Sequence, residues 1–195
     1  MIAEVRPLDG GGTLGVLLAS HALRRGYRAT IYSYNLQVFD PTWFDLPGDE
    51  LRRRLESQRR YKTDPKLQIA TSAYVGFLDL GGRIVFADLS EELVHGHLEA
   101  ERPILTGLSA TYLYGTPREL GPDYDDVRGE PVGHFVVICG QDRDRGQVLV
   151  ADPLDPNPVS EVSVYPVRFD RLAGAVFLGI VTYDANLLVI EPGPG

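Results

Sequence analysis

With 195 residues, 44% of them hydrophobic and 24% charged, the chain has globular composition and is long enough for one well-buried domain spanning 1–195. A formal net charge of −8, from 27 acidic against 19 basic side chains, disfavours nucleic acid as a partner, because phosphate binding rests on Lys and Arg. The single cysteine, Cys139, rules out an intrachain disulfide and a thiolate-rich zinc site and fits a reducing compartment. No run approaches the roughly 18 apolar residues of a membrane span. Met1 to Gly12, with Glu4, Arg6 and Asp9, lacks the basic-then-apolar pattern of a secretory signal, so a cytoplasmic location is expected.

In chain order, Leu14, Leu17, Leu18 and Ala22 recur at helical spacing and Gly26 offers a stop, which predicts a helix over Thr13 to Arg25. Arg28 to Tyr34 reads as a strand. Leu36 to Pro47, with Phe39, Trp43 and Phe44 around Pro41, reads as an ordered aromatic loop packed on the body or lining a cleft. Asp49 to Tyr61 is a charged helix anchored by Leu51 and Leu55. Its basic residues alternate with Glu50 and Glu56 as on a solvated face. Asp64 before Pro65 predicts a capped helix with Ala70, Ala73, Tyr74, Phe77 and Leu78 on its apolar stripe, ended by Gly81 and Gly82. Arg83 to Phe86 is a short strand, and Asp88 with Glu91 has the spacing of a capping box opening a helix through Leu98.

Beyond Pro103 the pattern turns to strands: Ile104 to Tyr114, Val132 to Cys139, Gln147 to Ala151, Glu161 to Val167 and Leu187 to Ile190. Asp170 to Phe177 is one helical interruption, weakened by Gly174. The expectation is an α+β fold, a helical amino-terminal half with a mainly antiparallel carboxy-terminal sheet.

The chemistry concentrates at Gly133-His134 before an apolar strand, a polar turn over Gln141 to Gly146, and a second strand ending in Asp152-Pro153. Antiparallel pairing of these strands brings His134 and Asp152 together at one rim. A carboxylate beside an imidazole fixes the ring's tautomer and favours its charged form, half of a nucleophilic site; the same pair also serves simply to tie down a strand end. His95 and His97, two apart on a helix, do not share a face and make no metal site. Asp142, Asp144 and Gly146 miss the calcium-loop spacing, and Gly10 to Gly12 lack the ending of a phosphate loop and read as a turn. No metal and no cofactor is called for. Glu119 to Asp126 reads as a solvated acidic loop.

The Gly133-His134 strand and Asp152-Pro153 hairpin resembles the histidine–aspartate hairpin of peptidase C39-like, papain-fold cysteine peptidases. Gly107 to Tyr114 is similar to the family's strand before that hairpin, and Gly12 to Ala29 to the helix and strand that follow its cysteine helix. The resemblance implies a papain-like fold acting on a peptide or amide substrate through an enzyme thioester, with His134 as general base and Asp152 orienting it. It also implies a cysteine at a helix start followed by Gly-Pro, and an upstream glutamine, neither of which stands here. Cys139 lies in the strand of His134 five positions on, on the opposite face and about 16 Å away, and is expected to be a buried, inert thiol. The chain as written is therefore expected to be inactive. The cysteine helix is expected upstream of Met1, the alternative being Gly10 to Gly12 in its place. A non-catalytic pseudopeptidase that binds a peptide and a thioester-dependent acyltransferase on the same fold are the competing readings.

Overall fold

A computed structural model describes residues 12–193. The expectations for Met1 to Gly11, among them the turn at Gly10 and Gly11, lie outside these residues. The fold is α+β, with a mainly antiparallel seven-stranded sheet in the order β2 (Arg83–Val85), β1 (Arg28–Ser33), β9 (Asn186–Glu191), β3 (Ile104–Ser109), β6 (Gly133–Asp142), β7 (Gln147–Ala151), β8 (Val164–Arg168). Contacts resolve the chain into two compact units, one running to Ala87 and including the residues from Leu188 on, the other Asp88–Leu187.

In the first unit α1 (Gly15–Arg24) buries Val16, Ala19 and Ala22, and the chain reverses at Gly26 into β1 (Arg28–Ser33), which pairs in parallel with β2 (Arg83–Val85). Helix α2 (Gly48–Arg59) buries Leu51 and Leu55, while Arg52 meets Glu56 at 3.0 Å and Arg53 meets Glu50 at 2.6 Å. This is the solvated basic face that the sequence suggests. The Asp64 carboxylate accepts from the Leu67 N–H at 2.8 Å with Pro65 opening α3 (Pro65–Asp79), as its cap signal predicts. The aromatic loop is ordered by ring packing: Phe39 lies edge-on to Tyr74 at 4.8 Å, and Phe44 stacks on Phe86 at 4.1 Å. A cavity of about 320 Å³ opens there beside Leu36, Pro41, Trp43 and Tyr61, so the loop both packs on its unit and borders an open cavity.

The second unit begins with α4 (Glu91–Glu99), and here the capping expectation is corrected. Ser90, not Asp88, is the cap, its hydroxyl accepting from the Leu93 N–H at 3.2 Å. The run Ile104 to Tyr114 is also not one strand: β3 (Ile104–Ser109) ends where the Ser109 hydroxyl accepts from the Tyr112 N–H, starting helix α5 (Ala110–Tyr114). A serine at a strand end competes for backbone donors and starts a helical turn, a signal that the apolar pattern masked. The acidic segment forms a small hairpin of β4 (Glu119–Leu120) and β5 (Asp123–Tyr124) where a plain solvated loop is expected.

Strand β6 (Gly133–Asp142) pairs antiparallel with β3 and with β7 (Gln147–Ala151), which pairs antiparallel with β8 (Val164–Arg168). Strand β6 thus runs three residues beyond Cys139, into the expected turn, and β8 starts at Val164, not at Glu161. The expected helical interruption is α6 (Phe169–Leu178), followed by β9 (Asn186–Glu191). Gly174 sits in α6 because a Cβ there would stand 2.8 Å from the Tyr112 ring, so close approach of α5 outweighs the helix cost of glycine. Leu108, Val136, Ile138, Val148 and Val150 are wholly buried, and the registers place all of them on one face of this antiparallel sheet.

Candidate active site

His134 is the second residue of β6, opposite Leu108 on β3, and Gly133 before it is compelled by packing: a Cβ there would stand 2.6 Å from the Thr182 hydroxyl oxygen. Asp152 follows the last residue of β7, and its N–H donates to the Ser163 carbonyl at 2.8 Å. The register Val137↔Ala151, extended by one residue, sets Asp152 opposite Val136. His134 is two residues from Val136 on the same face, the diagonal spacing that long side chains bridge. The bridge forms, with His134 Nε2 3.1 Å from Asp152 Oδ1.

The shared face depends on an irregularity that the sequence does not advertise. Near the turn the pairing runs Gly140↔Leu149; below it runs Ile138↔Val150, so β6 spends two residues where β7 spends one. Cys139 is the extra residue. Had the upper register continued, Asp152 would align with Val137 and share the face of Phe135, away from His134. The bulge also overturns the expectation of a buried thiol. Cys139 is exposed, its Sγ–H 3.5 Å from the Leu149 carbonyl oxygen. Strand alternation keeps it on the face opposite His134, as expected.

Asp152 is clamped from several elements. Oδ1 accepts from His134 and from the Leu154 N–H at 3.0 Å, while Oδ2 accepts from the Tyr114 hydroxyl at 2.8 Å and the Tyr165 hydroxyl at 2.7 Å. Four donors fill the roughly four acceptor positions of a carboxylate. Burial pushes the Asp152 carboxyl up, but the Leu154 N–H, the two hydroxyls and the charge of His134 outweigh it and hold the group below the ordinary aspartate value. Burial, reinforced by the bond to Asp152, pushes both phenols far above the ordinary tyrosine value, so both remain donors.

An ionised carboxylate only accepts, so Nε2 carries the proton and, in the neutral ring, Nδ1 holds the lone pair. The His134 side chain is 27% exposed and that of Asp152 is 0%. Tyr114 and Tyr165 were not recognisable as site residues from sequence. Tyr114 fell inside an apparent strand, and Tyr165 becomes a neighbour only through the pairing Val150↔Tyr165, which puts it on the face of Asp152. Among the described residues no group of three or more His, Cys, Asp and Glu is placed to hold a metal, and no helix is long and apolar enough to cross a membrane. His95 is buried in α4 and His97 lies beyond it on the same helix. No family model, curated protein or solved structure matches the chain.

Proposed function

We propose that the chain carries the histidine–aspartate half of a papain-type cysteine hydrolase of the peptidase C39-like kind, acting on a peptide or amide bond. The observation that supports this is the unequal burial of the pair: the orienting carboxylate is wholly enclosed, while the imidazole side chain is partly exposed and its Nε2 is taken up by Asp152, leaving Nδ1 as the basic nitrogen. A pair that served only to tie down a strand end has no need of an exposed ring edge beside a saturated carboxylate.

In the proposed reaction a cysteine thiol passes its proton to His134 Nδ1, and the thiolate attacks the substrate carbonyl carbon. Asp152 stabilises the imidazolium so formed; the imidazolium protonates the departing amine, leaving a thioester. Water, deprotonated by Nδ1, then cleaves the thioester to the acid and regenerates the thiol. Cys139 is not that nucleophile, because it stands on the other face of β6. On this reading the thiol belongs to a cysteine that is not among the 195 residues, whose single cysteine is Cys139.

The test uses the protein translated from the complete reading frame that contains this chain. A cysteine other than Cys139 should be alkylated rapidly by iodoacetamide near neutral pH, and His134→Ala should slow it at least about tenfold, the low end of what a positioned base contributes. Unchanged reactivity would overturn the proposal. An in-frame stop directly before Met1, leaving Cys139 as the sole cysteine, favours instead a pseudopeptidase that binds a peptide without cleaving it.

A further inference from the structure

The two tyrosines converge on one oxygen atom, and that convergence carries an inference of its own. Tyr114 is the last residue of α5, just before the chain turns at Gly115 with φ +69°. Tyr165 sits in the middle of β8. They approach Asp152 from separations of 38 and 13 residues, and both donate to Oδ2, leaving Oδ1 to His134 and the Leu154 N–H. Two phenols that merely needed an acceptor would be satisfied by any nearby carbonyl. Here they fill the oxygen that His134 does not use.

We propose that Tyr114 and Tyr165 are positioning residues of the dyad: by occupying Asp152 Oδ2 they reserve Oδ1 for His134 and fix Nδ1 as the ring's basic nitrogen. The catalytic meaning of this inference rests on the hydrolase reading; the geometry does not. With Oδ2 empty, the carboxylate is free to turn about its terminal torsion, where wells are broad. It is also free to take a proton on Oδ2 and so lose the charge that strengthens the bond from Nε2–H to Oδ1. Each hydroxyl removes part of that freedom, and each also favours the ionised carboxylate over the neutral acid. The groups facing Asp152 are His134 from β6, Tyr114 from α5, Tyr165 from β8 and the Leu154 N–H. Tyr124 of β5 acts on Tyr114, and Asn157 stands beside the Tyr165 hydroxyl.

The experiment is nitrogen-15 NMR of the His134 ring together with carbon-13 NMR of the Asp152 carboxyl, on the chain itself and on Tyr114→Phe, Tyr165→Phe and the double variant. Circular dichroism confirms that each is folded. The unsubstituted chain should show a single Nε2–H tautomer in its neutral ring. The double variant should show both tautomers and an Asp152 midpoint shifted upward, with smaller upward shifts in each single variant. If the double variant does not fold, the single variants decide: a folded single variant with the parental tautomer and the parental Asp152 midpoint overturns the assignment for that tyrosine. A folded double variant that keeps both parental properties overturns the proposal. Failure of the hydrolase reading appears elsewhere, as thiol alkylation indifferent to His134→Ala, and leaves this result standing.

Discussion

Two aspartates in the second unit collect donors, and they do so in opposite ways. Asp125, in the loop after β5, accepts from the Val127 N–H at 2.9 Å, the Arg128 N–H at 2.7 Å and Arg128 Nε at 2.6 Å, all within three residues. Asp152 takes its donors from α5, β6, β8 and the turn after β7. Both carboxyls are held below the ordinary aspartate value, Asp125 chiefly by the Arg128 N–H and Asp152 by donors that outweigh its own burial. A lowered pKa therefore does not by itself single out a site. What distinguishes Asp152 is that three of its four partners are distant in sequence and that one of them is a partly exposed imidazole. The Asp125 arrangement is a local turn closed by its own neighbours.

The sharpest way to break the comparison is truncation at each position. Asp152→Ala should cost about 3 kcal/mol in urea unfolding, because it strands two hydroxyls and an N–H inside the protein. Asp125→Ala, which frees only donors of its own turn at the exposed residues Val127 and Arg128, should move the unfolding midpoint less. Equal losses would erase the distinction. Next in size is deletion of Cys139, which removes the bulge and lets Gly140↔Leu149 run straight into Ile138↔Val150, so that Asp152 stays opposite Val136 on the face of His134. It should cost on the order of 2 kcal/mol through the altered twist of β6 and leave the His134–Asp152 coupling seen by NMR in place. Loss of that coupling would refute the assignment of Cys139 as the surplus residue of the bulge.

The pH dependence follows from the lowered Asp152 value. Its folded pKa lies below the unfolded value of about 3.9, so its contribution to stability is present above that value and is lost as pH falls through the folded pKa. Asp152→Asn should be the less stable form above pH 4 or so, with the gap to the unsubstituted chain narrowing in more acidic solution. A gap that widened on acidification would reverse the assignment. Smallest of all is Cys139→Ala, expected to change stability by less than about 0.5 kcal/mol because the side chain is exposed.

Much of this was legible from the residues. Periodicity and caps placed α1, α2, α3 and α6, because Asp64-Pro65 and the Leu51/Leu55 pair are local signals that packing did not override. His134 and Asp152 were also brought together correctly, since a hairpin of that length leaves few alternatives. The rest depended on tertiary context. Ser109 turns a strand into a helix through one hydroxyl, Ser90 displaces Asp88 as a cap only two residues from an equally plausible signal, and Tyr165 enters only through the β7–β8 register. The bulge is the most instructive omission. The apolar pattern through Val136 and Ile138 looks uninterrupted, yet if Cys139 were paired in a regular ladder and not bulged out the two site residues would lie on opposite faces.

The claim that the dyad activates a thiol is tested most directly by the pH–rate profile for iodoacetamide alkylation of the complete translated protein, compared with its Asp152→Asn variant. The account predicts a cysteine other than Cys139 that reacts well below the ordinary thiol value of about 8.5, and a profile that moves back toward that value when Asp152 is neutralised. Superimposable profiles for the two proteins would contradict it.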